Sequence, residues 1–327
     1  MTTPTVLLDS NVWRYLVDYS SVSEVARWVR RSRVTIQVAP SVAYEALRTG
    51  DQALRRKLVV FMTHAAWERL MPEAFEECNE ILAEVRRLRP EWLRREPNSA
   101  SLHRSRFDWS RLSGGFWDRL RLSTDAEAAA VSALEGDTMD VARRQADARR
   151  AQVHAMGLEK GMMNLSAMTA TLEGPVPGWD GTPLQPWRVD ALRSASLVLR
   201  TAGQDRHPYF DWLSPVIDID AALQSRSSWN HFWLHEVEAE RMPRQWLRWA
   251  VERLASAHRV SAGTPCDIQL ATYMVACDHF VSADRLFCQL IEECRPHCAS
   301  RLPKVLQIEP GREGVSSLGR FFKIANS

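Results

Sequence analysis

The feature that most constrains this chain is a short apolar run that stops at a carboxylate and passes straight into a helix. "TVLLD" (residues 5–9) is followed by "SNVWRYLVDYS", in which Val12, Trp13, Leu16 and Val17 recur at helical spacing. A buried strand joined directly to a helix belongs in a parallel sheet with helices on its faces. The next segments repeat the alternation. "SVSEVARWVRRS" reads as a helix, "VTIQVAP" as a β-branched strand ended by Pro40, and "SVAYEALRTG" as a helix capped by Ser41 and stopped near Gly50. The end of the chain returns to this style. "PRQWLRWAVERLASAHRV" and "PCDIQLATYMVACD" read as helices, "HFVSAD" as a strand, "RLFCQLIEECRPHC" as a helix and "PKVLQIEP" as a last strand.

Between these ends the pattern changes. From about Pro72 to Met242 the sequence offers long charged helical pieces, a Pro- and Gly-rich loop "EGPVPGWDGTPLQPW", and few strand signals. The expected organisation is therefore an α/β unit in two halves, residues 1–71 and 244–327, interrupted by an all-helical insertion lobe at 72–243. A hydrophobic fraction of 45% in 327 residues supplies core enough for both parts. Most of the thirteen tryptophans lie between Trp67 and Trp249, and a lobe without strands is expected to bury them between helices.

Four acids occupy comparable places in the alternation. Asp9 ends the first strand. Glu45 lies one turn inside the helix after the second strand. Asp267 opens a helix in the second half, where the helix dipole favours negative charge, and Asp284 follows "HFVSA". Strand ends and following helix starts share one edge of a parallel sheet, so the four can converge there. Carboxylates crowded together repel unless cations separate them. With hard oxygen donors, the expected cations are Mg²⁺ or Mn²⁺. Asp9 alone is equally well read as a helix cap. Asp278 is a reserve candidate, and Asp18 reads as an exposed helix residue.

The segments "VLLDSN", "APSVAYEAL", "PCDIQLATYM" and "HFVSADRLF" resemble those of the PIN-domain nucleases, the group that includes the small PIN toxins. The resemblance covers roughly residues 5–71 and 244–310 and leaves out the middle; common PIN toxins are far shorter. It implies a central parallel sheet flanked by helices and a metal-dependent endoribonuclease. Asp9, Glu45, Asp267 and Asp284 would hold one or two ions, with Asn11 and Ser282 at the polar positions beside the first and last acids. It further implies a toxin or an RNA-processing or defence nuclease, with RNA as substrate and an antitoxin or a second copy as partner. The competing reading is a catalytically inactive PIN-like scaffold whose helical middle binds RNA or a protein. A haloacid-dehalogenase-type phosphatase needs a second acid two residues after Asp9, where Asn11 stands.

Other signals are weaker. His231 and His235 have zinc-ligand spacing, but packing beside Trp233 is the default. Cys288, Cys294, His297 and Cys298 read as buried thiols on a helix rather than a zinc site. "ARWVRRSR", "EVRRLRPEWLRRE" and "DVARRQADARR" are basic; the first two interleave tryptophan in a way suited to single-stranded RNA, and some arginines of the second are expected to face the acids. The net charge of +2 gives no global nucleic-acid signal. No leader peptide or bilayer-length apolar run is seen, so a cytoplasmic, reducing setting without membrane association is expected.

Overall fold

A computed structural model describes residues 3–111, 113–133, 144, 147–148, 150–151, 164–200, 207–256, 258 and 264–324. Five parallel strands form the central sheet: β1 (Thr5–Leu8), β2 (Thr35–Val38), β3 (Glu68–Arg69), β4 (His279–Ser282) and β5 (Lys304–Gln307), in the order β3-β2-β1-β4-β5. The register sets Leu7 opposite both Gln37 and Phe280, and Leu8 opposite Val281. Val6, Leu7, Leu8, Ile36, Val38, Phe280 and Val281 are buried, as continuous apolar strands covered on both faces must be. Two-residue β3 lacks any alternation that sequence reading could find, and it exists as an edge pairing to Gln37 and Val38.

The winding explains where a site can form. After β1 the chain steps outward to β2 and β3; after β4 it steps outward on the other side to β5. The direction reverses between β1 and β4, and a crevice opens outside the carboxyl ends of strands at such a point.

The helices beside the sheet are α1 (Ser10–Tyr19), α2 (Val22–Ser32), α3 (Pro40–Leu47) and α4 (Gln52–Met62) from the first half. Ser41 does not cap α3. The helix starts one residue earlier because Pro40 is preorganised for the first turn; Ala39 takes the cap position and the Ser41 hydroxyl is buried without a hydrogen-bond partner. The middle contributes α5 (Glu73–Leu88), α6 (Ser99–Ser110), α7 (Phe116–Leu122), α8 (Pro186–Arg200), α9 (Pro208–Leu213), α10 (Ile219–Gln224) and α11 (Arg226–His231), the last running into a π-turn at Phe232–Glu236. Then come α12 (Pro243–Ala255), α13 (Thr264–Ala271), α14 (Arg285–Cys294) and α15 (Arg312–Ile324). Sequence reading stopped at β5 and missed α15, which buries Val315, Leu318 and Phe322 and sets Phe322 beside Trp28 of α2.

Among the described residues between 72 and 242 there is no strand, only two isolated bridges, Leu93 with Ile217 and Ala170 with Leu184. Trp92, Trp117, Trp187, Trp212, Trp229 and Trp233 of this stretch are buried, with Trp92 against Trp229 and Phe232. Its core is continuous with that of the sheet. Much of "GDTMDVARRQADARRAQVHAMGLEKGMM", including most of the third basic run, lies outside the described residues. Among the described residues no helix is long and apolar enough to cross a membrane.

Candidate functional site

The reversal point between β1 and β4 is where Asp9 and Asp284 stand. The Asp9 N–H donates to the Val281 carbonyl at 3.0 Å, extending the β1–β4 ladder by one residue, so Asp9 lies level with Ser282. Its carboxylate is only 3% exposed. One oxygen, Oδ1, accepts the Ser10 N–H at 2.6 Å and the Ser10 hydroxyl at 3.3 Å. The other, Oδ2, accepts the Asn11 amide at 2.6 Å and the Ser282 hydroxyl. Asn11 in turn accepts the Ala283 N–H at 3.0 Å, and Ser282 Oγ accepts the Asp284 N–H at 2.8 Å. Asn11 and Ser282 thus stitch the ends of β1 and β4 together around Asp9.

Asp9 caps α1 at the strand end that borders the crevice. Asp284 does the same for α14, accepting the Phe287 N–H at 2.9 Å while remaining exposed. Phe287 is buried against Phe280, which fixes the start of α14 under the strand. Glu45, on α3, and Asp267, in the first turn of α13, are half-buried. The Ser10 hydroxyl also hydrogen-bonds Glu45. Sequence reading passed over Ser10; its place directly after Asp9, at the first position of α1, was the available signal.

Charge ties the four acids together. Burial pushes the Asp9 carboxyl above the ordinary range and Asp284 adds to this, while hydrogen bonds from Ser282, Ser10 and Asn11 hold it down. Burial likewise raises Glu45, helped by Asp9 and opposed by Ser10 and the Arg48 guanidinium. Asp267 is raised furthest: burial, Asp9, Glu45 and Asp284 all push the same way, and no described group opposes them.

Two thiols stand beside these acids, which sequence reading passed over. Cys266 precedes Asp267, and Cys288 feels Asp9 and Asp284; burial pushes each up to about 12, so both remain neutral thiols and poor cation ligands. The donor chemistry is therefore that of carboxylate oxygen, which fits a hard divalent cation. Among the described residues, no three of His, Cys, Asp and Glu are gathered closely enough to hold an ion as they stand. Both Asp9 oxygens and Asp284 Oδ1 accept from cap and network donors.

The other candidates fall elsewhere. Asp278 sits at the opposite end of β4, where the Thr5 N–H and hydroxyl hold its carboxyl below the usual range. Asp18 pairs with Arg14 on the surface of α1. Three arginines of "EVRRLRPEWLRRE" turn to partners other than the edge acids. Arg87 pairs with Glu84 one turn back on α5, Arg89 with Glu236, and Arg94 donates to the Ser214 carbonyl, so these three are held by partners of their own, the last two outside α5. Trp28 of "ARWVRRSR" is covered by α15. His231 and His235 do not simply pack beside Trp233. Their rings lie 4.9 Å apart and face Glu236 and Asp180, each at 3.8 Å. Cys288 and Cys294 are buried, and His297 pairs with Ser166 at 2.7 Å.

Comparison of the chain with known protein families, with curated proteins and with solved structures gives no match.

Proposed function

We propose that the β1–β4 edge is the active site of a divalent-metal-dependent nuclease, with RNA as the substrate class. The observation that carries this reading is Asp267, a carboxylate crowded by three others with no described group to relieve it. A charge so placed is stable only with a bound proton or with a cation drawn in among the acids. Mg²⁺ or Mn²⁺ held by Asp9, Glu45, Asp267 and Asp284 would supply an activated water and neutralise charge at a phosphodiester. The chain's own part is positional. Asn11 and Ser282 orient Asp9, Ser10 holds Glu45 toward it, and exposed Asp284 leaves the edge open to a large substrate. The choice of RNA, and a role as toxin or as RNA-processing or defence nuclease, follow the PIN resemblance of the four motifs.

One observation favours a second reading. Asp9 and Asp284 each complete a helix cap, so an edge that only binds RNA or a protein, without catalysis, would keep them for structural reasons. The test is cleavage of RNA and DNA pools with Mg²⁺, Mn²⁺ or EDTA. The nuclease reading expects cleavage that EDTA abolishes and that Asp9→Asn and Asp284→Asn each reduce by more than about a hundredfold, as removal of one charge-stabilising group typically does. Full activity in either variant would sink it.

A further inference from the structure

Helix α6 has twelve residues and buries none of their side chains. Its place is nonetheless fixed from two sides. The Arg106 guanidinium lies over the ring of Phe75 at 5.9 Å, and Phe75 is in the first turn of α5, which begins soon after β3 ends. Trp109 packs on Phe116 at 4.3 Å, and Phe116 on Tyr44 at 5.5 Å. Tyr44 precedes Glu45 on α3, which begins soon after β2 ends. Both α5 and α3 start at the carboxyl ends of strands, so α6 borders the edge that carries the acids.

The outer face of α6 has a composition of its own. His103, Phe107 and the helix's C-terminal cap Arg111 recur every fourth residue and line one stripe. The His103 and Phe107 rings stack with centroids 5.7 Å apart, and the Arg111 guanidinium lies 5.5 Å from the Phe107 ring. Phe107 is 48% exposed, and Arg104 beside it is exposed as well. Asp108, the only acid of the helix, is already held by Arg119 at 2.7 Å and Arg111 at 3.3 Å. Among the described residues no carboxylate pairs with Arg104 or Arg106. The stripe thus joins open aromatic surface to positive charge in excess.

We propose that this stripe binds a single-stranded nucleic acid, with phosphates on Arg104 and Arg106 and bases stacked on the His103–Phe107 pair, and leads the strand to the acids. That the strand is a substrate rests on the reading of the edge as a nuclease. Two physical reasons favour this occupant. Crowded carboxylates repel a polyanion, so a strand that reaches them has to be held by cations close by. A protein partner would require a cluster of apolar anchors, whereas the stripe has one, Phe107. Duplex bases are already stacked on one another, so only an unpaired strand can use the aromatic pair.

The test is fluorescence anisotropy of a short labelled oligouridylate with the full chain in EDTA, which reads binding without cleavage. Since α6 buries no side chain, replacements on its outer face leave the core as it is. Phe107→Leu should weaken binding at least about fivefold, the low end for loss of one base stack, while Phe107→Trp should match wild type or exceed it. Arg104→Ala should flatten the dependence of log affinity on log salt by about 0.7, the share of one phosphate contact on a single strand. Asp267→Asn should bind like wild type. An oligothymidylate shows whether DNA is taken as well, and Phe107-dependent binding of either strand upholds the stripe. Wild-type affinity and salt dependence in both Phe107→Leu and Arg104→Ala overturn the proposal, and cleavage by wild type with Mn²⁺ would still leave the nuclease reading standing. Displacement of the strand by polyglutamate as readily as by unlabelled RNA would make the stripe a general anion surface and overturn it too. Phe107-dependent binding without any cleavage upholds the stripe and sinks the nuclease reading.

Discussion

Two groups of crowded acids lie in this molecule, and they are treated in opposite ways. Along α5, Glu77 is fully buried, yet it accepts Arg248 of α12 at 2.7 and 3.0 Å and the Tyr209 hydroxyl. Glu80 accepts Arg244 through its side chain at 2.8 Å and its N–H at 3.1 Å, and Glu84 accepts Arg87 at 2.6 and 3.0 Å. This seam joins the first helix of the middle to the second half of the α/β unit. At the sheet edge no described cation offsets Asp9 or Asp267. Acids kept for architecture come with guanidiniums, because an unpaired buried charge costs several kcal/mol. An unbalanced group such as Asp267 therefore has no architectural reason to be charged, which is why the edge and not the seam is read as functional.

The comparison breaks first at the seam if it is wrong. Arg248→Ala should cost about 3–5 kcal/mol, the usual penalty for leaving a buried charge without its partner, measured by urea denaturation. A loss under about 1 kcal/mol would mean that the pairing contributes little, and the contrast with the edge would fade.

At the edge, the sharper measurement is linkage. Mn²⁺ at a hundredfold excess over its dissociation constant should stabilise wild type by about 2.7 kcal/mol, and Asp267→Asn should show little of this. Equal shifts in the two proteins would move the ion elsewhere.

Without metal the sign reverses. The Asp267 carboxyl is raised in the folded protein, so the native state holds a proton that the unfolded chain has released. Stability therefore falls as pH rises through the folded value, and it is regained as pH drops toward the ordinary carboxylate value of 3.8. At pH near 8, Asp267→Asn should melt roughly 1–2 °C above wild type, the shift expected for about 1 kcal/mol in a chain of this size, and the gap should close on acidification. A gap that persists at low pH would indicate a packing effect instead of relieved repulsion.

The smallest effect concerns the stitching. Ser282→Ala removes the hydroxyl shared by Asp9, Asn11 and the Asp284 N–H, and should cost about 1 kcal/mol, as lost hydrogen bonds generally do. A loss of Mn²⁺ affinity alongside would tie the network to the site; stability alone would make it a strand clasp.

Much of the edge was legible because its signals are local. Strand, acid and helix start are adjacent at Asp9 and again at Asp284, and Glu45 lies one turn into the helix after β2. The seam was not legible. Glu73, Glu76, Glu77, Glu80 and Glu84 follow helical spacing like any solvated face, and nothing in α5 announces that this face meets Arg244 and Arg248 more than 160 residues later. The basic run after α5 misled for the same reason: Arg87 and Arg89 carry a charge pattern fit for phosphate, and their partners Glu84 and Glu236 decided otherwise.

By itself the sequence determined the alternation of buried strands and helices, since periodicity and turn chemistry act over a few residues, and it determined which acids end strands or open helices. The convergence of Asp9 and Asp284 already required "TVLLD" and "HFVSAD" to be neighbouring parallel strands, as β1 and β4 are; only the tertiary structure decided that α5 and α12 share buried charges and that Arg48 donates to Cys266. Those outcomes depend on which surfaces meet across long stretches of chain, and a partner's charge or shape leaves no mark on the local pattern of the residue it will meet.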